Sequence, residues 1–156
     1  MITLTGGKWT TYRRMGMDTV DKAVELHRLP VRPSVTEQLR LHGWADDAPD
    51  DHWQVYGADA KSIQALDGAQ NVLDARLPYV EAEVRWAVRF EQARTVEDVL
   101  ARRTRALLRN ARASMAAAPR VAQIMAEELS LSREWQVEQV AAYNHLAEGY
   151  CLANFD

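Results

Sequence analysis

The chain has 156 residues, of which 47% are hydrophobic and 26% are charged, and its formal net charge is -3. This length and apolar content suffice for one hydrophobic core, whereas the weakly acidic balance excludes an overall basic field for nucleic acid or acidic lipid. The single cysteine, Cys151, excludes an internal disulfide and a cysteine-rich metal framework. We expect a cytoplasmic chain, at most peripheral to a membrane, since no segment has the apolar length to span a bilayer.

The N-terminal segment, residues 1–30, is predicted to form a strand, a tight turn and a helix. Ile2 and Leu4 alternate with threonines, which is typical of a short strand, and two glycines follow. Apolar residues then recur at helical spacing from Tyr12 until Pro30. Because the rest of the chain has helical patterns, the strand has no sheet to join, and we expect its partners upstream of the sequence.

The remainder is predicted to be a connecting loop, residues 31–50, followed by a helical domain, residues 51–156. Two short helices are expected first, one opened by Pro49 and closed by Gly57 and one capped by Asp59. Longer helices should then follow Pro78, a capping box at Thr95 and Asp98, Pro119 and an N-cap at Ser132. The predicted fold is therefore all-α, a C-terminal bundle of helices preceded by a strand-turn-helix segment.

The glycine turn is the segment most suggestive of ligand binding. Gly6 and Gly7 allow a ligand to approach the backbone, and the amides leading into the helix can donate to it. Lys8 adds a mobile cation suited to a phosphate or a developing oxyanion. An ordinary turn with a solvated lysine is the alternative.

Two further sets of charged residues stand out. Arginines at 102, 105, 109 and 112 are predicted to share one side of a helix, either as a solvated face or as a surface for an acidic partner or phosphate. Glu91 and Arg103 instead lie on apolar faces, so we predict an ion pair that joins two helices, with a catalytic Glu91 as the alternative.

No metal site or self-sufficient catalytic site is predicted. No two histidines have the spacing that places two ligands on one helical turn, and motifs for a hydrolase nucleophile or a nucleotide-phosphate loop are absent from the sequence. Cys151 lies on an apolar helical face and is interpreted as a packing residue.

Several segments together resemble one protein family. They are TGGKWTTYR at 5–13, RLHGW at 40–44, VYGADA around Gly57, and the stretch from PYVEAEV to ARRTRALL at 78–108. In this order they resemble the C-terminal part of FAD-dependent glycerol-3-phosphate dehydrogenases. Phe90 departs from the family, which often has histidine before the glutamate, and this favours a packing role for Glu91.

The resemblance implies that residues 1–30 end an FAD-binding domain and that residues 51–156 form its helical cap. Lys8 would hold the phosphorylated substrate, and the backbone of Gly6, Gly7, Trp9 and Thr10 would line the flavin. The full enzyme would oxidise sn-glycerol 3-phosphate to dihydroxyacetone phosphate and pass electrons to a membrane quinone. Its implied partners are its own FAD domain and the substrate, with no nucleic acid; peripheral attachment to the inner membrane and a homodimer remain open.

Hydride acceptance belongs to the cofactor, so this chain alone is expected to bind no FAD and to be inactive. A free-standing helical interaction module that docks through its arginines is the competing hypothesis.

Overall fold

The computed structural model describes residues 1–47 and 51–151. They fall into two compact units, Met1–Trp44 and Ala45–Asp156, and the division lies within the segment predicted to be a connecting loop. Within the described residues the structure is helical, apart from turns and an isolated antiparallel bridge between Val72 and Val80. The all-α prediction is confirmed.

The first unit contains a 3-10 turn, Trp9–Thr11, that leads directly into helix α1, Tyr12–Leu26. The helix ends where Arg28 adopts a left-handed conformation, with a φ of 49°, shortly before Pro30. The predicted strand is not formed, because residues 1–8 have no regular structure and no neighbouring strand to supply hydrogen bonds. No described residue of this unit is fully buried.

The second unit begins with a 3-10 segment, His52–Asp59, and a short helix α2, Ala60–Gln64. Asp51 caps the first by accepting from the Trp53 amide, whereas Asp59 precedes α2 without making a capping hydrogen bond. Pro49, predicted to open this region, lies outside the described residues. Gly57 interrupts the 3-10 segment with a non-helical conformation.

The larger elements are helix α3, Glu81–Phe90, a π-helical turn, Asp98–Arg103, helix α4, Ala106–Arg109, helix α5, Ala111–Leu129, and helix α6, Arg133–Glu148. The two predicted caps are confirmed: the Asp98 amide donates to Thr95, and the Trp135 amide donates to Ser132. These caps satisfy amides that helix starts leave unpaired.

Two of the predicted helix boundaries are wrong. The segment after Thr95 is not one helix, because Arg105 takes a left-handed conformation with a φ of 57° and separates the π-helical turn from α4. Pro119 does not open a helix but lies inside α5, whose start is capped by the side chain of Asn110. Asn110 is the stronger start signal because its side chain accepts from the Ala113 amide over 3.0 Å.

The core of the second unit lies between α3, the π-helical turn, α5 and α6. Its largest fully buried side chains include Leu100, Ile124, Met125 and Tyr143. A second apolar cluster joins the 3-10 segment and α2 to α3 through Trp53, Ile63 and Trp86. Among the described helices, none combines the length and apolar character needed to cross a membrane.

Candidate functional site

The glycine turn of the first unit places two consecutive residues in the left-handed region. Gly6 has a φ of 79° and Gly7 a φ of 91°, conformations that residues with a side chain rarely adopt. A Cβ at Gly7 would collide with the thioether end of the Met15 side chain, whereas nothing lies within 4 Å of a Cβ at Gly6. Position 7 therefore favours glycine mainly through its backbone conformation, because the flexible Met15 side chain can move aside, and position 6 leaves open space.

Lys8 is fixed by its backbone while its side chain stays exposed. Its amide donates to Oγ1 of Thr11 over 3.0 Å, and its carbonyl accepts from the Thr11 amide over 2.9 Å. This pair of hydrogen bonds sets the start of the 3-10 turn and thus the direction of the chain after the glycines. The ammonium group is left available for an external anion.

Two aromatic residues, Trp9 and Tyr12, lie next to the glycine turn and Lys8. Trp9 is 86% exposed and stacks on Tyr12 with ring centroids 5.3 Å apart. Four of the five residues predicted to bind ligand, Gly6, Gly7, Lys8 and Trp9, line one open depression of about 400 Å³ together with Leu4, Tyr12, Met15 and Gly16. Thr10 is exposed and does not line it.

Glu91 and Arg103 are brought together in the second unit. Nε of Arg103 lies 3.7 Å from Oε2 of Glu91, and each side chain is 31% exposed. The same guanidinium donates to the backbone carbonyl of Glu91 over 3.1 Å, which ties the end of α3 to the π-helical turn. Burial raises the pKa of Glu91, although the positive charge of Arg103 opposes that shift. The geometry is that of a structural link between two elements.

The predicted arginine face does not exist as one side of a single helix, because the chain breaks at Arg105. Arg102, Arg105 and Arg109 nevertheless line one cavity of the second unit, together with Arg103. Arg112 lies on α5 and is not part of that lining.

A buried carboxyl group that residue patterns did not reveal belongs to Glu83, in the first turn of α3. Oε1 of Glu83 accepts from the Tyr56 hydroxyl over 2.8 Å, and Oε2 accepts from the Val80 amide over 2.7 Å. Nε2 of His52 lies 3.6 Å from Oε2 and makes no hydrogen bond with the described residues. Burial raises the pKa of Glu83 to about 7, despite the two hydrogen bonds that lower it. Its position at the third residue of α3 was the available signal, because glutamate there often caps a helix.

The described residues contain no group of three His, Cys, Asp or Glu side chains that could hold a metal ion. The groups that line the depression at the glycine turn include the Lys8 ammonium and the rings of Trp9 and Tyr12.

Comparison with known proteins decides the family. Residues 2–136 match the model of the family described as the C-terminal domain of alpha-glycerophosphate oxidase. The chain belongs to this family. The resemblance to the C-terminal part of glycerol-3-phosphate dehydrogenases is thereby confirmed.

Curated relatives of this C-terminal domain include mitochondrial glycerol-3-phosphate dehydrogenases. The Rattus norvegicus protein is 34% identical over 96% of this chain and 24% of its own length, and the Homo sapiens protein is 33% identical over the same shares. A probable mitochondrial glycerol-3-phosphate dehydrogenase of Caenorhabditis elegans is 36% identical over 90% of this chain and 23% of its own length. The chain thus spans about a quarter of these relatives. No solved structure matches it significantly.

Proposed function

We propose that this chain acts as the C-terminal part of an FAD-dependent glycerol-3-phosphate dehydrogenase. The observation that carries the proposal is the exposed turn at Gly6, Gly7 and Lys8, in a chain that matches the family from residue 2 onward. FAD, when bound, supplies the acceptor for the hydride from C2 of sn-glycerol 3-phosphate, which yields dihydroxyacetone phosphate.

The residues of the turn fit one side of a flavin site. Among the described residues, no hydrogen bond engages the backbone amides of Gly6 and Gly7, so both donors are available to a ligand. The open space at Gly6 permits close approach, and amides directed at a flavin carbonyl would favour electron-rich ring oxygens. The depression is shallow and gives one wall, which supports a role for an FAD domain in supplying the others.

Lys8 is the residue we assign to the substrate. Its ammonium carries the one positive charge on the lining of the depression and is suited to the phosphate of glycerol 3-phosphate. No carboxylate lines the depression, so the charge of Lys8 is not neutralised there. Lys8 would then orient the substrate relative to the flavin, which is a binding and positioning role.

An apolar surface on the first unit supports a covering domain. Trp9 is 86% exposed, Tyr12 is 52% exposed and Leu4 is 51% exposed. Large side chains at such exposure would be stabilised by burial against another protein surface. We propose that the FAD domain provides that surface. We further propose that the whole enzyme transfers electrons to quinone at the cytoplasmic face of the inner membrane.

A chimera tests this function. The chain would replace the corresponding C-terminal segment of the Caenorhabditis elegans relative, and FAD retention after desalting and dye reduction with glycerol 3-phosphate would be measured. We expect the chimera to retain FAD and to reduce the dye, and we expect the Caenorhabditis elegans protein that lacks its C-terminal segment to do neither. A chimera that folds yet retains no FAD contradicts the proposal, as does stoichiometric flavin retained by the isolated chain, which we expect to remain colourless.

The role of Lys8 is tested in the same chimera. Lys8→Met should raise KM for glycerol 3-phosphate by about tenfold or more, because a charge-assisted contact contributes roughly 1.5–3 kcal/mol. FAD content should not change. Lys22→Met is the matched control, because Lys22 lies on α1 and pairs with Glu25 away from the turn. An unchanged KM in Lys8→Met would remove Lys8 from the substrate site.

A further inference from the structure

A cavity of about 620 Å³ in the second unit is rich in positive charge. Its lining includes Arg102, Arg103, Arg105 and Arg109 and contains no carboxylate. His52 and Tyr79 add groups that can form hydrogen bonds, whereas the hydroxyls of Thr104 and Tyr56, which also line the cavity, already donate to the Val99 carbonyl and to Glu83. The cavity is therefore locally basic, although the net charge of the chain is -3. The cavity belongs entirely to the second unit and is distinct from the glycine turn.

The backbone conformation allows four consecutive residues, 102 to 105, to line the same cavity. In a regular α-helix, residues 102 to 105 would point in four different directions, about 100° apart. Here the π-helical turn Asp98–Arg103 is wider than an α-helical turn, and Arg105 takes a left-handed conformation. Left-handed backbone is unfavourable for a residue with a long side chain, and such conformations are concentrated at binding sites.

The positive charges are not all neutralised. Arg102 pairs with Asp98 over 2.8 Å, and Arg103 lies 3.7 Å from Glu91. Arg105 and Arg109, in contrast, have no ion pair with any residue in the described ranges. The charge of Arg109 also acts on the cavity wall: burial is the main cause of the lowered pKa of His52, and the nearby positive charge of Arg109 lowers it further. Two guanidinium groups are therefore available for an anion.

The rest of the lining is apolar or aromatic. Val55 is 81% exposed and Leu108 is 68% exposed, and Tyr79 contributes a ring to the same cavity. A free inorganic ion would fill only a small part of this space. The lining is complementary to a molecule that has an anionic end and an apolar or aromatic body.

We propose that this cavity binds the phosphate group of a small phosphate monoester through Arg105 and Arg109, with the organic part of the ligand against Val55, Leu108 and Tyr79. A phosphate dianion is favoured over a carboxylate because two guanidinium groups can each form paired hydrogen bonds with it. The binding is a property of this helical unit and does not depend on the function proposed for the glycine turn.

Titration of the intact chain tests the proposal, with phenyl phosphate and inorganic phosphate as probes at low ionic strength. Calorimetry should show one site that binds phenyl phosphate more tightly than inorganic phosphate, and amide shifts in NMR spectra should concentrate at Tyr79 and Leu108. Chloride at matched ionic strength should not reproduce the shifts. Equal affinity for the two phosphates would contradict the apolar part of the site, and no saturable binding at millimolar concentrations would overturn the proposal.

Variants separate a built site from general charge attraction. Asparagine is chosen at position 105 because it tolerates a left-handed backbone. The single variants Arg105→Asn and Arg109→Gln should each weaken phenyl phosphate binding by about tenfold or more. Arg133→Gln removes an equivalent exposed charge from the start of α6 and should change the affinity by less than about twofold. Equal weakening in all three variants would overturn the site, as would full affinity in both cavity variants. Circular dichroism confirms that each variant is folded.

Discussion

Tyr56 donates its hydroxyl to Oε1 of Glu83 over 2.8 Å, and the carboxyl group that accepts it is completely inaccessible to solvent. The two residues lie 27 positions apart in the sequence and connect the 3-10 segment with α3. A buried carboxylate is costly unless hydrogen bonds compensate for the lost water. The two bonds at Glu83 compensate in part, and the stability of this unit should therefore depend on pH.

Glu83→Gln should remove a pH dependence of unfolding. Burial raises the folded pKa of Glu83 from 4.5 to about 7, so the folded state binds this proton more tightly than the unfolded state. The stabilisation is complete below pH 4.5 and is lost as the pH rises through about 7. The difference between the two values corresponds to about 3 kcal/mol. Urea denaturation across this range should show a clearly larger decline in the parent chain than in the variant, which keeps the smaller contribution of Glu91.

Glutamine is a suitable replacement because its amide can donate to the Tyr56 oxygen as the protonated acid does, while its carbonyl accepts from the Val80 amide. Glu138→Gln, at an exposed position on α6, is the matched control and should retain the decline. A decline of the same size in the Glu83→Gln variant would show that other groups are responsible.

Tyr56→Phe should destabilise the second unit more at high pH than at low pH. The substitution removes the donor that stabilises the carboxylate of Glu83, so the pKa of Glu83 should rise further. We expect a loss of about 1–3 kcal/mol above pH 7. Tyr150→Phe, at a position 53% exposed, should have little effect at either pH. A loss that is independent of pH would mean that packing of the ring, and not the hydroxyl, is what matters.

A hydrogen bond between the Ser114 and Tyr143 hydroxyls joins α5 to α6 inside the core, where both residues are almost completely buried. Ser114→Ala and Tyr143→Phe should each reduce the free energy of unfolding by about 1–3 kcal/mol, because each leaves one buried hydroxyl without a partner. The double variant should cost less than the sum of the two. Strict additivity in denaturant titrations would show that the two hydroxyls do not act as a pair.

Local patterns predicted the helices that have clear side-chain caps. Ser132 and the pair Thr95 and Asp98 form the expected bonds because a cap depends on residues only two or three positions apart. The strand at residues 2–5 was wrong for a different reason. Alternating apolar and polar residues predict which side chains would lie on each face of a strand. Whether the strand forms depends on a neighbouring strand that supplies hydrogen bonds.

The site was only partly predictable for the same reason. The glycine-lysine turn is a local feature, and four of its five proposed residues do line one depression. The link between Tyr56 and Glu83 depends on how α3 packs against a segment far away in sequence, which residue spacing does not reveal. The arginine cavity depends on the left-handed backbone of Arg105, and an arginine gives no signal for that conformation.

Arg103→Met should lower the melting temperature. Removal of the guanidinium leaves Glu91 half-buried without its counter-ion and removes the donor to its backbone carbonyl. Because both side chains are 31% exposed, solvent weakens the pair, and we expect a loss of about 1 kcal/mol, or roughly 2–4 °C in a chain of this size. Arg133→Met, at an exposed position, is the control.

In the background of Glu91→Gln the destabilising effect of Arg103→Met should be smaller, since the negative charge that Arg103 compensates is gone. An unchanged melting temperature would show that the pair does not stabilise the fold, and the catalytic alternative for Glu91 would then be favoured.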